Sequence, residues 1–348
     1  MSEQRTEQER AAEHWQVLAF HARSFRWAAA FLRPAHRERV AALYAFCRAV
    51  DDLADSDWVS DDSRRDLDRI CAALDAEPKG QALWPEHYLW FRRLCIECEI
   101  DFAVVRELLS GMMGDLSTVR FESDRELLRY CYQAAGTVGL MMCSVFGVRD
   151  PRAQRHAIDL GIAMQLTNIC RDVLEDAGAS RVYLPAERLE PYGVQSEQLV
   201  SGPVDPEAVS LVVSDLLRLS EQYYRSGDAG MIFLPRRTRW AVLIASRLYR
   251  GIGIRLRVKQ ACNPLRGRAI VPWFGKIRWV AVATVNWVLY SLWPPRRNRT
   301  SQLHEHLDGL PYTDAPRRRS NPESVTSSAG SGVAPDVSPV SHAVGHTH

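Results

Sequence analysis

The chain has 348 residues, 46% apolar and 25% charged, with 44 Lys or Arg against 42 Asp or Glu. This is the balance of an ordinary globular chain, large enough for one big domain or two average ones and able to bury a substantial core. A formal net charge of +2 gives no ground for a nucleic-acid partner, and none is expected.

The near-neutral total conceals an asymmetry. Between Asp228 and Glu305 there is no acidic residue and there are fifteen Arg or Lys, so the remainder carries 29 basic against 42 acidic residues. A segment of that kind seeks an anion. The eight cysteines offer no metal-ligand spacing beyond the lone pair Cys95 and Cys98, and are read as reduced core thiols.

In chain order, Met1 to Glu13 is highly charged and is not read as a signal peptide, which places the expected location on the cytosolic side. The segment His21-Ala22-Arg23-Ser24-Phe25-Arg26-Trp27-Ala28-Ala29-Ala30-Phe31 follows, with Pro34 as a boundary. Arg23 and Ser24 are placed to reach a phosphate, Phe25 and the alanines to line an apolar cavity; plain helix packing is the alternative. A helix from about Arg37 to Asp55 then carries Tyr44, Arg48, Asp51 and Asp55 at steps of four, three and four, in one row.

Residues 57–80 read as a surface helix and loop. Helical periodicity resumes from about Pro85 to Arg93, from Asp101 to Met113 and from Ser123 to Phe146. The last of these contains Tyr130-Cys131-Tyr132-Gln133-Ala134-Ala135-Gly136-Thr137-Val138-Gly139, whose small residues either let helices approach closely or leave room for a ligand. After Pro151 a helix runs to about Asp176. It places Gln165, Asn168, Asp172 and Asp176 on one face, Arg171 and Glu175 beside them, and Leu166, Ile169, Val173 and Leu174 behind. The break at 178–185 returns Arg181 and Tyr183 towards the carboxylate end. Helices are expected again at about Pro206–Ser226 and Thr238–Lys259, the latter holding Tyr249.

No useful period-2 alternation or hairpin dipeptide occurs, so the fold class is all-α, a helical bundle around a central apolar cavity. Residues 277–293 hold Trp279, Trp287, Tyr290 and Trp293, with Arg296, Arg297 and Arg299 next to them. They suit a helix lying in the interface of an anionic membrane, or a packed terminal helix; a bilayer span is the least favoured option. The domain is expected to cover 1–295, with a disordered basic, then Ser/Pro/Gly/His-rich tail over 296–348.

Two rows of carboxylates, each with an arginine at a fixed offset, imply a cation between them, because crowded carboxylates repel one another. Hard oxygen ligands suit Mg2+ (or Mn2+), which is usually completed by substrate phosphates, and arginines grip phosphate oxygens through forked hydrogen bonds. The ligand expected is therefore a diphosphate bridged by Mg2+.

These residues resemble the squalene and phytoene synthases, the head-to-head prenyl synthases of the trans-isoprenoid fold. The resemblance spans nearly all of 15–280 and rests on His21-Ala22-Arg23-Ser24-Phe25, Tyr44 to Asp55, Tyr130 to Gly139, Gln165 to Asp176, and Arg181-Val182-Tyr183-Leu184-Pro185. Tyr249-Arg250-Gly251-Ile252-Gly253 looks most like bacterial phytoene synthases. Ala22 departs from the family's usual Ser, at the cost of at most one phosphate hydrogen bond. The resemblance implies condensation of two geranylgeranyl diphosphates to phytoene through a cyclopropyl diphosphate, a step of carotenoid biosynthesis.

It further implies that Asp51, Asp55, Asn168, Asp172 and Asp176, with Asp52 and Glu175 beside them, hold the metal. Arg48, Arg171, Ser24, Tyr44 and Tyr249 would hold phosphate oxygens, His21, Arg23, Phe25, Gln165 and Arg181 completing the substrate site. Tyr130 is the candidate hydroxyl near the cation. The nearest alternative is the same chemistry on fifteen-carbon farnesyl diphosphate, giving dehydrosqualene, presqualene diphosphate or squalene; the alanines after Phe25 favour the longer chain. No dinucleotide motif is present, so NADPH is not expected. An alternative of another class is an inactive relative serving as an assembly protein on the membrane surface. Prenyl diphosphates, an anionic membrane and downstream carotenoid enzymes are the expected partners.

Overall fold

The computed structural model describes residues 7–21, 23–55, 61–76, 84–293 and 301–314; within these, side chains are described except at 7–8, 21, 23–25, 54–55, 61–64 and 301. In chain order the helices are α1 (Glu7–His21), α2 (Arg23–Ala29), α3 (Pro34–Asp55), α4 (Asp61–Asp75), α5 (Leu89–Cys98), α6 (Phe102–Gly114), α7 (Asp124–Cys131), α8 (Thr137–Val145), α9 (Pro151–Gly178), α10 (Ala186–Leu189), α11 (Ser196–Ser201), α12 (Pro206–Gly230), α13 (Arg236–Gln260) and α14 (Trp273–Leu292). No strand occurs among the described residues, where the one β-bridge is an isolated pairing of Arg120 with Val182.

Local chemistry sets the helix ends. Asp150 caps α9 by accepting from Arg152 N at 2.8 Å, and Pro151 takes the first helical position, where no N–H is needed. Asp205 and Pro206 repeat the device at α12, with 2.9 Å from Glu207 N to Asp205. The α13 helix stops at Gln260 because Ala261 adopts a left-handed φ of 52°.

The α9 helix is the axis of the bundle, packed against α8, α12 and α13. Its back is solid core: Leu166, Ile169, Cys170 and Val173 are all buried, whereas Leu174, expected behind the polar row, is 48% exposed. All eight cysteines are free thiols, six of them buried. Sequence periodicity also treats Ser123–Phe146 as one regular helix. It is interrupted by a π turn, Tyr132–Gly136, wedged between α7 and α8. Such turns recur at functional sites, and this one carries small residues against α9.

The compact unit runs to Asp314, beyond the expected boundary near 295. Leu303, Leu307 and Leu310 are buried, and Tyr223 Oη and Tyr132 Oη donate to the carbonyls of Leu303 (2.6 Å) and Pro311 (2.8 Å). The leucine spacing is apolar enough to dock, but the polar composition around it hides the signal. The expected tail from 315 onward lies outside the described residues. Because His304 is the buried partner of Asp159 at 2.7 Å, His304→Ala should lower stability by about 1–3 kcal/mol, read as a lower urea midpoint at constant slope. An unchanged midpoint would mean the segment is not holding the core.

The α14 helix packs on α13 by one face, and most of the other is uncovered by described residues, though Trp273 meets the Trp27 ring at 4.9 Å. Ala283 is buried, the Trp279 indole lies on Gly251, and Trp287 Nε1 donates to Arg236 O at 2.8 Å. Asn286, the polar break in this apolar run, accepts from the buried Arg247 Nε at 2.7 Å, while Arg247 Nη1 pairs with Asp228 at 2.7 Å. On the other face Trp273, Phe274 and Leu292 are exposed by 57%, 82% and 62%. No helix among the described residues is long and apolar enough to cross a membrane.

Candidate active site

A cavity of about 390 Å³ opens between α3, α9 and α13. At one end it is polar: Tyr44, Arg48 and Asp51 reach it from α3, Gln165 and Asn168 from α9, and Tyr249 from α13. Further in, the walls are mostly Leu, Met, Val, Ala and Gly, with Tyr130, Phe146 and His156 among them. Ala28 and Ala29 line it from α2, but Ala30 is exposed and does not.

On α3 the row forms because Leu43, Phe46 and Val50 fill the core and turn Tyr44, Arg48 and Asp51 towards the cavity. Arg48 folds back on its own helix: Nη1 donates to Asp51 at 2.8 Å and Nη2 to Asp52. Its buried Nε has no partner among the described residues. Asp52 is half exposed at its side chain, and its place in the expected metal set is weaker than that of Asp51. The side chains of Asp55, His21, Arg23, Ser24 and Phe25, and the whole of Ala22, lie outside the described residues.

On α9, Arg171 Nε donates to Asp172 at 2.6 Å, with a second contact from its Nη2. Asn168 Nδ2 reaches Gln165 Oε1 at 3.4 Å, and its own buried Oδ1 has no partner among the described residues. Arg268 Nε meets Asp172 at 3.2 Å, and Arg268 Nη1 meets Glu175 at 2.8 Å. Glu175, with its side chain 51% exposed, shares Arg268 with Asp172 and lies near enough to Asp176 to raise its pKa. Tyr249 stands between the rows. Burial raises its phenol pKa, opposed by Arg171 and assisted by Asp172; Tyr44 is pushed up to about 12, first by burial and then by Tyr249.

Burial, then the neighbouring Asp172, pushes Asp176 up to about 7, with Arg181 opposing. A carboxyl that ionises at 3.8 when unfolded and at about 7 when folded costs the metal-free fold stability as pH rises across that window. A divalent cation held by Asp176 would have to displace this proton, so on that reading Mn2+ affinity should climb with pH up to about 7 and then level. Electron paramagnetic resonance titration on either side of neutrality checks this, and a flat profile would contradict it.

Tyr130 lines the cavity, and its hydroxyl donates to Asp115 at 2.8 Å; Tyr183 donates to the other Asp115 oxygen at 2.9 Å, with the two rings 4.9 Å apart. Sequence reasoning did not find Asp115 or Arg268. Arg268 had a signal in the acid-free basic segment; Asp115, after Met112-Met113-Gly114, had none.

Among the described residues no three Asp, Glu, His or Cys side chains converge closely enough to hold a cation alone. What fits an ion is the donor chemistry: hard oxygens from Asp51, Asn168, Asp172 and Asp176 on two helices, an orphaned Asn168 Oδ1, and room for a ligand to complete the shell. Arg48 Nε, buried and unpartnered beside them, suits an anion.

Residues 18–274 match the family described as squalene/phytoene synthase. The chain belongs to the squalene/phytoene synthase family. It is 37% identical over 241 residues to the 15-cis-phytoene synthase of Enterobacter agglomerans, covering 67% of this chain and 81% of that one. It is 35% identical over 250 residues to the phytoene synthase of Pseudescherichia vulneris, covering 70% and 81%. A solved dehydrosqualene synthase in complex with a ligand superposes with a TM-score of 0.71 at 27% identity, covering 82% of this chain and 98% of its own. Tyr44, Arg48 and Asp51 of α3 and Gln165 and Asn168 of α9 line the apolar cavity, whereas Asp172 lies outside its lining and Asp176 lines a small separate crevice with Arg181; the cavity can take a greasy tail with an anionic head beside the two rows.

Proposed function

We propose that this chain joins two molecules of geranylgeranyl diphosphate head to head, through a cyclopropyl diphosphate, to give phytoene in carotenoid biosynthesis. The observation that carries this is the juxtaposition of Tyr44, Arg48 and Asp51 with Gln165, Asn168 and Tyr249 at the mouth of one apolar cavity. Asp51, Asp55, Asn168, Asp172 and Asp176 would hold Mg2+, or Mn2+ in its place. Bound there, the metal supplies Lewis-acid neutralisation of the leaving diphosphate.

The chain's own side chains do the rest. Arg48 and Arg171 exchange part of their hold on neighbouring carboxylates for diphosphate oxygens, through charge-assisted bonds that strengthen as the allylic carbon–oxygen bond breaks. Tyr44 and Tyr249 add hydroxyls that burial keeps protonated and able to donate. Tyr130, fixed by Asp115, presents its ring and oxygen along the path of the carbocation. The apolar walls exclude the water that would trap that cation.

Tail length separates the two substrate readings. From Asn168 to His156, both on the cavity wall, α9 rises about 18 Å. Each five-carbon unit of an extended prenyl chain advances roughly 5 Å, so four units need about 20 Å and three about 15 Å. At about 18 Å the wall lies between the two and nearer the longer, and the likeness to phytoene synthases supports four units. The likeness to a dehydrosqualene synthase supports the fifteen-carbon reading as the second choice.

Incubation with Mg2+ and either diphosphate, with and without NADPH, followed by identification of the hydrocarbon, tests the proposal. Phytoene from the twenty-carbon substrate, unchanged by NADPH, is the expected result; a thirty-carbon product alone would overturn it.

The outer face of α14 is the surface for an anionic membrane. Exposed Trp273, Phe274 and Leu292 lie on the helix that carries Lys276 and Arg278, and the exposed Phe20 and Arg26 share a cleft with Trp273 and Lys276. A hydrocarbon product could leave there for downstream membrane enzymes. The protein should float with liposomes rich in anionic lipid, and recovery of all of it in the unbound fraction would count against this surface.

A further inference from the structure

Towards the start of α9 the cavity wall includes a polar residue, His156, with Ala153 a turn beyond it, although a hydrocarbon tail needs nothing polar to meet. It lies one turn into α9, and the lean of helical side chains towards the N-terminus carries its ring over the end of the wall. Gly230 makes the space for it, since a Cβ there would collide with His156 Cβ, and the Phe233 ring lies alongside at 6.2 Å and 25°.

The ring is held by a buried relay. Its Nδ1 lies 2.9 Å from Ser226 Oγ, Ser226 Oγ donates to Asp159 Oδ2, and Asp159 Oδ1 lies 2.7 Å from His304 Nε2. Because the Ser226 proton goes to the carboxylate, Ser226 Oγ accepts from His156 Nδ1–H, which fixes both the tautomer and the ring plane. His156, Ser226 and Asp159 are at most 9% exposed, and His304 6% at its side chain. A floor so braced cannot swing aside for a longer tail, which is what a length gauge requires.

We propose that His156, positioned by Ser226, Asp159 and His304, sets the length of prenyl tail that the cavity accepts, the last five-carbon unit of a twenty-carbon chain ending on its ring. This rests on the diphosphate reading of the opposite end.

The test compares kcat/KM for fifteen-, twenty- and twenty-five-carbon diphosphates in the full chain. His156→Asn keeps a donor at the Nδ1 position while removing the outer ring, and should raise the ratio for the twenty-five- over the twenty-carbon substrate by about tenfold or more. Ala153→Leu, which crowds the same end without touching the relay, should raise the fifteen- over twenty-carbon ratio by about tenfold. If His156→Asn does not fold, Ala153→Leu carries the test. Wild-type ratios in the folded variants would overturn the gauge. The same ratios come from dissociation constants of unreactive thiodiphosphates, so a wild type that binds tails by length but forms no phytoene would sink the catalytic reading and leave the gauge standing.

Discussion

Asp172→Ala is expected to lower kcat/KM by at least about a hundredfold, the scale on which losing one well-placed electrostatic group reduces catalysis. Asp172 is only 15% exposed at its side chain and is shared by Arg171 and Arg268, so its removal leaves two guanidinium groups without their common anion and the proposed cation site without a carboxylate. Asp51→Ala should cost less than Asp172→Ala, because Asp51 is 41% exposed and Asp52 stands next to it. Glu175→Ala should cost least, its partner being Arg268 at the rim. Steady-state assays on variants with unchanged circular dichroism rank the three. Wild-type turnover by Asp172→Ala would remove the basis of the metal assignment.

Gly161→Ala is expected to be the most damaging of the single-methyl changes. A Cβ at Gly161 would collide with the Ala135 carbonyl and lie 2.8 Å from Gly136 N, and a Cβ at Gly139 would collide with the Ala157 carbonyl. Both obstacles are backbone, so no rotamer change relieves them; α9 must move off the π turn and α8. We expect a loss of about 3 kcal/mol or more in urea unfolding, at the upper end of overpacking costs. Gly114→Ala, where a Cβ meets no described atom within 4 Å, is the control and should leave stability unchanged or slightly improved. Equal midpoints for Gly161→Ala and wild type would contradict the close approach.

That result bears on what the small-residue run does. From sequence, Ala134-Ala135-Gly136 could serve helix approach or ligand room. The structure uses it for both, since Gly139 and Gly161 press on backbone while Ala134, Ala135 and Gly139 line the cavity. Periodicity cannot separate those roles because they depend on which helix lies opposite.

The acidic rows were legible because a 3.6-residue repeat alone places Asp51 beside Arg48, and Asn168 in line with Asp172. Their pairing was less so. Arg48 and Arg171 were read as phosphate ligands, and each is held by its own helix's carboxylates until a ligand competes. Contacts between residues far apart in the chain were invisible: Asp115 with Tyr130, Arg268 with Asp172, and His304 with Asp159 at 145 residues' separation. The docked segment 301–314 was missed for the same reason, its leucines having no visible partner until α7, α9 and α12 surround them. Asn286 read as an interruption of an apolar helix; its meaning lies in Arg247, on another helix.

The most direct test of the central claim is a crystal structure of the protein with Mn2+ and an unreactive geranylgeranyl thiodiphosphate, using anomalous scattering to locate the metal. The account predicts metal and diphosphate between the Asp51 end of α3 and the Asn168–Asp176 face of α9, with the tail running along α9 towards His156. Metal bound elsewhere, or a tail outside the cavity, would contradict it.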